Sequence, residues 1–400
     1  MNFLCNMIKL LKINIDNRII GLDVMRSLAI LLVLFGHYSA FFYNPISPII
    51  PFTNLSLNRF LYLFITGFDG VDLFFVLSGF LIGNSLLNAF SNNDLDFKYL
   101  IQNFWIKRWF RTLPNYLVVL TLCLIIYSFI PLSTEAGKNS VSYYKYFVFM
   151  QNFYLGGLYF FPESWSLSIE EWFYISFPLV LTLLSILFKK SRNRKFVLLT
   201  CILSFIIFGT IFRILRASEI DFSKYEINLW NDDFRTVITM RLDAIIYGVL
   251  MAYLKKFLPQ YFKKFRYVFL IIGLTVLVIA FKLVFLTPGN IGCLSFAHTY
   301  YFSMVGIGMS LMLPYFYNLK LKKVFLIKFF TIISVLSYSI YLINYSLIKY
   351  PIVYLMPSSS LLFCIIKFII AIVLTLIISC LLYITVETPF MNLRKRILNE

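Results

Sequence analysis

Apolar residues fall in ten long runs separated by short polar segments. The runs lie near residues 24–43, 71–90, 113–131, 170–188, 196–215, 237–256, 267–286, 298–318, 330–349 and 361–384. Each is close to the ~20 residues that carry an α-helix across a bilayer. A helix satisfies its own backbone hydrogen bonds in lipid. The pattern therefore predicts an all-α, polytopic membrane helix bundle of about ten transmembrane helices. The largest segments between runs on the outer side, 44–70, 131–169 and 216–236, are too small for a separate domain. Residues 1–400 read as a single integral-membrane domain without internal repeats. Phe3–Lys12 has the pattern of an amphipathic helix at the inner interface.

Composition agrees: 60% of residues are hydrophobic and 14% charged, against about 45–50% and about 25% in soluble domains. The excess is spread along the chain, which excludes a soluble enzyme with a membrane tail. The formal net charge of +18 could suggest nucleic acid, but its distribution argues otherwise. Twenty-four of the basic residues fall in alternate segments between the runs. The other segments hold seven: Arg59, Lys138, Lys145, Arg213, Arg216, Lys224 and Arg235. By the positive-inside rule both termini are cytoplasmic, and the partner is the lipid bilayer of the cell membrane. The six cysteines are scattered, with no CxxC and no Cys/His cluster, so no metal is expected. The first run lacks a small-residue cleavage site and reads as a signal anchor.

Ionisable residues inside the runs are costly and mark candidate chemistry. Lys282, Lys349 and Lys367 lie near outer ends, where snorkelling accounts for them. Arg26, His37, Asp72, Glu170 and Arg241 are harder to dismiss. Arg26 and His37 are eleven residues apart, about three helical turns, so they share one helix face about 16 Å apart along the axis. Arg26 is low and His37 lies in the outer half. Asp72 could simply favour its helix dipole. Glu171 has capping-box spacing from Ser168, whereas Glu170 enters from the same side as His37, where a carboxylate could orient an imidazole. Arg241 and Asp243 could neutralise each other. His298 is placed at the outer interface. Ser334, Ser337, Tyr338, Ser339, Tyr341 and Asn344 form a polar stripe on the ninth run. Arg108 and Arg111, three apart on the inner side, suit a polyphosphate.

These motifs resemble the acyltransferase 3 family, integral-membrane acyltransferases of bacterial surface glycans. The resemblance is carried by Gly21-Leu22-Asp23-Val24-Met25-Arg26 through His37, by Gly70–Ile82, and by Arg108-x-x-Arg111-x-x-Pro114 as a basic loop. Trp165–Tyr174, Leu336–Leu342 and Glu387-Thr388-Pro389 complete it. Two departures stand out. Asn344 occupies a place where the family commonly has His, and the C-terminal esterase-like domain of some relatives is not expected here.

The resemblance implies transfer of an acyl group, usually acetyl, from acyl-CoA to a carbohydrate hydroxyl. Arg108 and Arg111, with Arg26, would hold the coenzyme phosphates. His37 would act as general base or as a covalent acyl-imidazole, and Glu170 would orient it. Asp72, Ser78, Arg241 and Asn344 are candidates for substrate or oxyanion contacts. Trp165 and Trp230 could stack on sugar rings or belong to an interfacial aromatic belt. A proton-coupled transporter of a glycan or small molecule is the alternative, since buried charges suit it as well.

Overall fold

A computed structural model describes residues 7–11, 13–14, 18–42, 68–90, 97–130, 142–153, 158, 160–188, 194–221, 231–285, 291–358 and 360–398. Arg59, Lys138 and Trp230, and half of Phe3–Lys12, lie outside them. The described residues are helical, without strands. The long helices are α1 (Ile20–Ser39), α2 (Phe68–Phe90), α3 (Phe97–Phe129), α4 (Trp165–Leu187), α5 (Arg194–Ser218), α6 (Asp243–Phe257), α7 (Arg266–Phe285), α8 (Ile291–Tyr317), α9 (Val324–Ile343) and α10 (Leu361–Leu382), followed by the shorter α11 (Thr388–Leu398). Each predicted run coincides with one of the first ten. Among the described residues, eight helical stretches are long and apolar enough to cross a membrane, and α6 and α8 are not among them.

The sixth run is shorter than predicted: a turn at Leu242 divides Ile238–Arg241 from α6. Arg213 reaches into this break and donates to the Met240 carbonyl. The basic loop is not a loop, because α3 begins at Phe97 and carries Arg108 and Arg111 one turn apart on a continuous helix. Arg213, counted among the outer charges, is wholly buried. His298 is also buried, edge-on to Phe234 at 5.2 Å.

The faces of α1 show what orders the bundle. Leu28, Leu31 and Phe35 point outward, where lipid would cover them, while Met25, Ala29, Ile30, Val33 and Tyr38 are buried. That inner face packs on α2 and α9. Helix α2 packs against α6 through close backbone contact. A Cβ on Gly79 would run into the Ile245 carbonyl, and one on Gly248 into the Val76 carbonyl. Small residues permit this in a membrane, where backbone contact replaces hydrophobic drive.

Among the described residues, two buried ion pairs cross the bundle. Arg241 binds Asp72, joining the segment before α6 to the start of α2. Arg213 binds Asp243 at 2.7 Å and also donates to the Thr299 carbonyl (2.8 Å) and Ser303 hydroxyl (2.7 Å). Arg241 and Asp243 therefore do not neutralise each other, since each takes a partner from another helix. Breaking such a pair strands a charge, at a cost of about 3–5 kcal/mol. Arg241→Ala is expected to destabilise the protein by about that amount, and Asp72→Ala/Arg241→Ala by less than the two single changes together. Thermal unfolding in detergent measures both, and additive losses would show that the two charges do not depend on each other.

Candidate functional site

Helix α1 presents Arg26 and His37 to two different cavities. The inner one is lined by Arg26 of α1, Arg108 and Arg111 of α3, Ser78 of α2 and Glu170 of α4, with Phe74, Leu77 and Leu81 supplying apolar wall. Three guanidiniums face one carboxylate there, so the cavity favours an anion. The outer cavity is lined by His37, Glu163, Trp165, Asn231, Asp232, Arg235, Thr236 and Tyr345. Val71 and Tyr341 line both. The two spaces therefore abut across these side chains. The Tyr341 hydroxyl donates to the Glu163 carbonyl at 2.8 Å and lies 2.7 Å from the Ser166 hydroxyl.

Asn344 sets the chemistry of His37. Its amide nitrogen donates to the Ile340 and Tyr341 carbonyls at 3.1 and 2.7 Å. Both N–H groups are then spent, and Oδ1 remains as an acceptor. That oxygen meets His37 Nδ1. The proton must sit on Nδ1, which leaves Nε2 with a free lone pair. Asn344 opens a π-helical turn, Asn344–Lys349. Such turns are rare and frequently sit at functional sites. Tyr345, in the same turn, packs its ring edge-on to the imidazole at 5.0 Å.

Several expected roles need correction. Glu170 does not reach His37. Its carboxylate accepts from the Tyr174 hydroxyl at 2.7 Å, and that hydroxyl lies 3.1 Å from the Ser78 hydroxyl, all at the inner cavity. The physical reason is helical register: Glu170 lies a turn and a half into α4, whereas Glu163, two turns earlier, sits level with His37. Asp72 and Arg241 consume each other's charge and line neither cavity. Asn344 has no N–H left for an oxyanion. Glu171 is not a cap. It accepts from the Thr112 hydroxyl (3.1 Å) and the Trp109 indole (3.0 Å).

Sequence reasoning passed over Glu163, Asp232 and Arg235. Glu163 is buried and accepts from the Ser346 backbone N–H (2.9 Å) and hydroxyl (2.6 Å), which anchors the π-turn to the entry of α4. Its signal in the sequence is the heptad spacing to Glu170. Arg235 lies over the Trp165 ring at 4.7 Å. Burial pulls the Arg235 guanidinium below its usual range, with Asp72 opposing, and burial pushes the Asp232 carboxyl up. Among the described residues no group of His, Cys, Asp and Glu gathers as metal ligands do.

The family model described as an acyltransferase domain matches residues 19–384. The chain belongs to the acyltransferase 3 family. It is 27% identical over 347 residues to a Staphylococcus aureus (strain COL) protein named "Putative O-acetyltransferase", covering 81% of this chain and 52% of that protein. It is 37% identical over 139 residues to the "Putative peptidoglycan O-acetyltransferase" of Bacillus subtilis (strain 168), covering 32% of this chain and 21% of that one. The chain thus spans about half the length of the S. aureus relative. No solved structure matches.

Nitrogen-15 NMR of labelled His37 is expected to show the Nδ1-protonated tautomer, and Asn344→Leu to give a mixture of the two. The Nε2-protonated form in the unaltered protein would contradict the assignment of Asn344.

Proposed function

We propose that this acyltransferase 3 member is a multi-pass O-acyltransferase of the cytoplasmic membrane. In this reading it moves an acyl group, most simply acetyl, from cytoplasmic acyl-CoA to a hydroxyl of a cell-envelope glycan such as O-antigen, capsule, exopolysaccharide or peptidoglycan. The observation that carries the reading is the pair of abutting cavities, one rich in guanidinium and one holding the imidazole. The names of the S. aureus and B. subtilis relatives support acetyl as the group and a glycan as the acceptor. Family membership weighs against the transporter alternative.

The residues of the inner cavity fit acyl-CoA. Arg26, Arg108 and Arg111 offer planar donors for its phosphates, and the apolar wall of Phe74, Leu77 and Leu81 suits a slender thioester-bearing arm. Bound there, acyl-CoA supplies an activated acyl group. The rest of the chemistry belongs to the chain. His37 Nε2 takes the proton of the acceptor hydroxyl as its oxygen attacks the acyl carbonyl. The carbon–sulfur bond breaks, and the same proton leaves His37 with the departing thiolate. Asn344 holds the imidazole in the tautomer this requires. Tyr341 and Val71, shared by both cavities, stand between the coenzyme side and the imidazole.

His37→Ala is expected to lower acyl transfer by about 10²–10⁴-fold while the protein still inserts and folds. Paired radiolabel transfer assays and membrane fractionation measure this, and near-normal glycan modification would refute the role. Replacing Arg108 or Arg111 by Gln is expected to raise the half-saturating acetyl-CoA concentration by about tenfold each, the worth of one charged hydrogen bond. An unchanged value would place the coenzyme elsewhere.

A further inference from the structure

The π-helical turn Asn231–Arg235 takes no part in the transfer step, yet it forms one wall of the outer cavity. It is held from three directions. The Thr236 backbone N–H and hydroxyl both donate to the Asn231 carbonyl, at 3.1 and 3.0 Å. The Asn152 amide donates to the Thr236 carbonyl (2.6 Å) and the Trp165 carbonyl (3.0 Å), which ties the turn to the first residue of α4. On the far side Arg216 of α5 binds Asp233 at 3.1 Å. This bracing spends Asp233 and leaves Asn231, Asp232, Arg235 and Thr236 on the cavity wall. They form a chain: Arg235 Nη1 donates to Asn231 Oδ1 at 3.0 Å, and Asn231 Nδ2 reaches Asp232 Oδ1 at 3.4 Å.

The charge balance of this wall says what it fits. Glu163 and Asp232 oppose Arg235 beside the neutral imidazole, and Trp165 and Tyr345 add aromatic lining. A polyanion gains nothing from such a set, unlike in the inner cavity. An uncharged polyol ring does: a carboxylate accepts from two neighbouring hydroxyls, a guanidinium donates to a third oxygen, and an aromatic face covers the C–H side.

We infer that the Asn231–Arg235 turn is the acceptor-recognition wall, with Asp232 and Arg235 gripping an uncharged sugar ring so that a further hydroxyl is presented to His37. The inference rests on the acyl-transfer reading for the fate of that hydroxyl, but the binding of the sugar does not depend on the donor. Asp232 and Arg235 are thus specificity-determining residues that act before any bond changes.

The test separates the two. Surface polysaccharide extracted from cells lacking the protein is titrated onto the full chain in lipid nanodiscs without donor, and acetyl-CoA is titrated separately. Asp232→Asn, which keeps the side-chain shape, and Arg235→Gln are each expected to weaken polysaccharide binding at least about tenfold. Their acetyl-CoA affinity should stay within about twofold, which also shows that they are folded. Unchanged polysaccharide affinity in both variants would overturn the inference, as would absence of binding to the unaltered protein. Polysaccharide binding that depends on the turn, in a protein that does not bind acetyl-CoA, would sustain this wall and sink the donor reading instead.

Discussion

Polar groups inside this bundle lie away from bulk water, so most must find a partner within the protein, often on another helix, and that constraint shapes the site. Helix α9 and the π-turn after it show it most clearly. Ser334 donates to Asp23 at 2.6 Å, the Tyr338 hydroxyl to the Thr112 carbonyl at 2.7 Å, Tyr341 to the Glu163 carbonyl, and Asn344 holds His37. A single helix thus ties α1, α3 and the entry to α4 together. An unmet buried group costs about 1–3 kcal/mol or more, so these contacts fix register as firmly as packing does. The imidazole is placed by the same logic that places the structural serines.

In the proposed reading, function divides along the membrane normal. Cations that would be prohibitive in lipid are tolerable around the inner cavity because they share it with Glu170 and with the Tyr174 and Ser78 hydroxyls. The outer cavity carries both signs of charge with aromatic lining. Tyr341, hydrogen-bonded at the boundary, belongs to both spaces. Such a layout suits a reaction whose two substrates live on opposite sides of a bilayer and must never mix in bulk.

Hydropathy made the bundle legible because about 20 apolar residues in lipid have one structural solution. Helix ends were less so: nothing in the pattern of residues 237–256 reveals that Arg213, from another helix, would claim the Met240 carbonyl and end the preceding turn. At the site, the Arg26–His37 spacing was visible because helical periodicity acts within one segment. Partners across segments were not. Chain direction alone puts Glu170 on the side of His37, and only packing shows that it sits with the guanidiniums below. Asn344 looked like a lost histidine, whereas its amide is what sets the tautomer of His37. Asp72 and Arg241, 169 residues apart, give no sequence sign that they meet. Glu163, Asp232 and Arg235 read as loop charges, because the 3-10 turn Pro162–Ser164 and the π-turn Asn231–Arg235 that aim them into a cavity carry no strong local signature.

The central claim is that donor and acceptor reach His37 from opposite faces. Proteoliposomes with the protein in one known orientation test it directly. Labelled acetyl-CoA is placed only on the side of Arg108 and Arg111, and the deacetylated polysaccharide only on the side of Arg235. The account predicts label transfer to the polysaccharide in this arrangement and none when the two compartments are exchanged. Transfer only when both reagents share one compartment would contradict it.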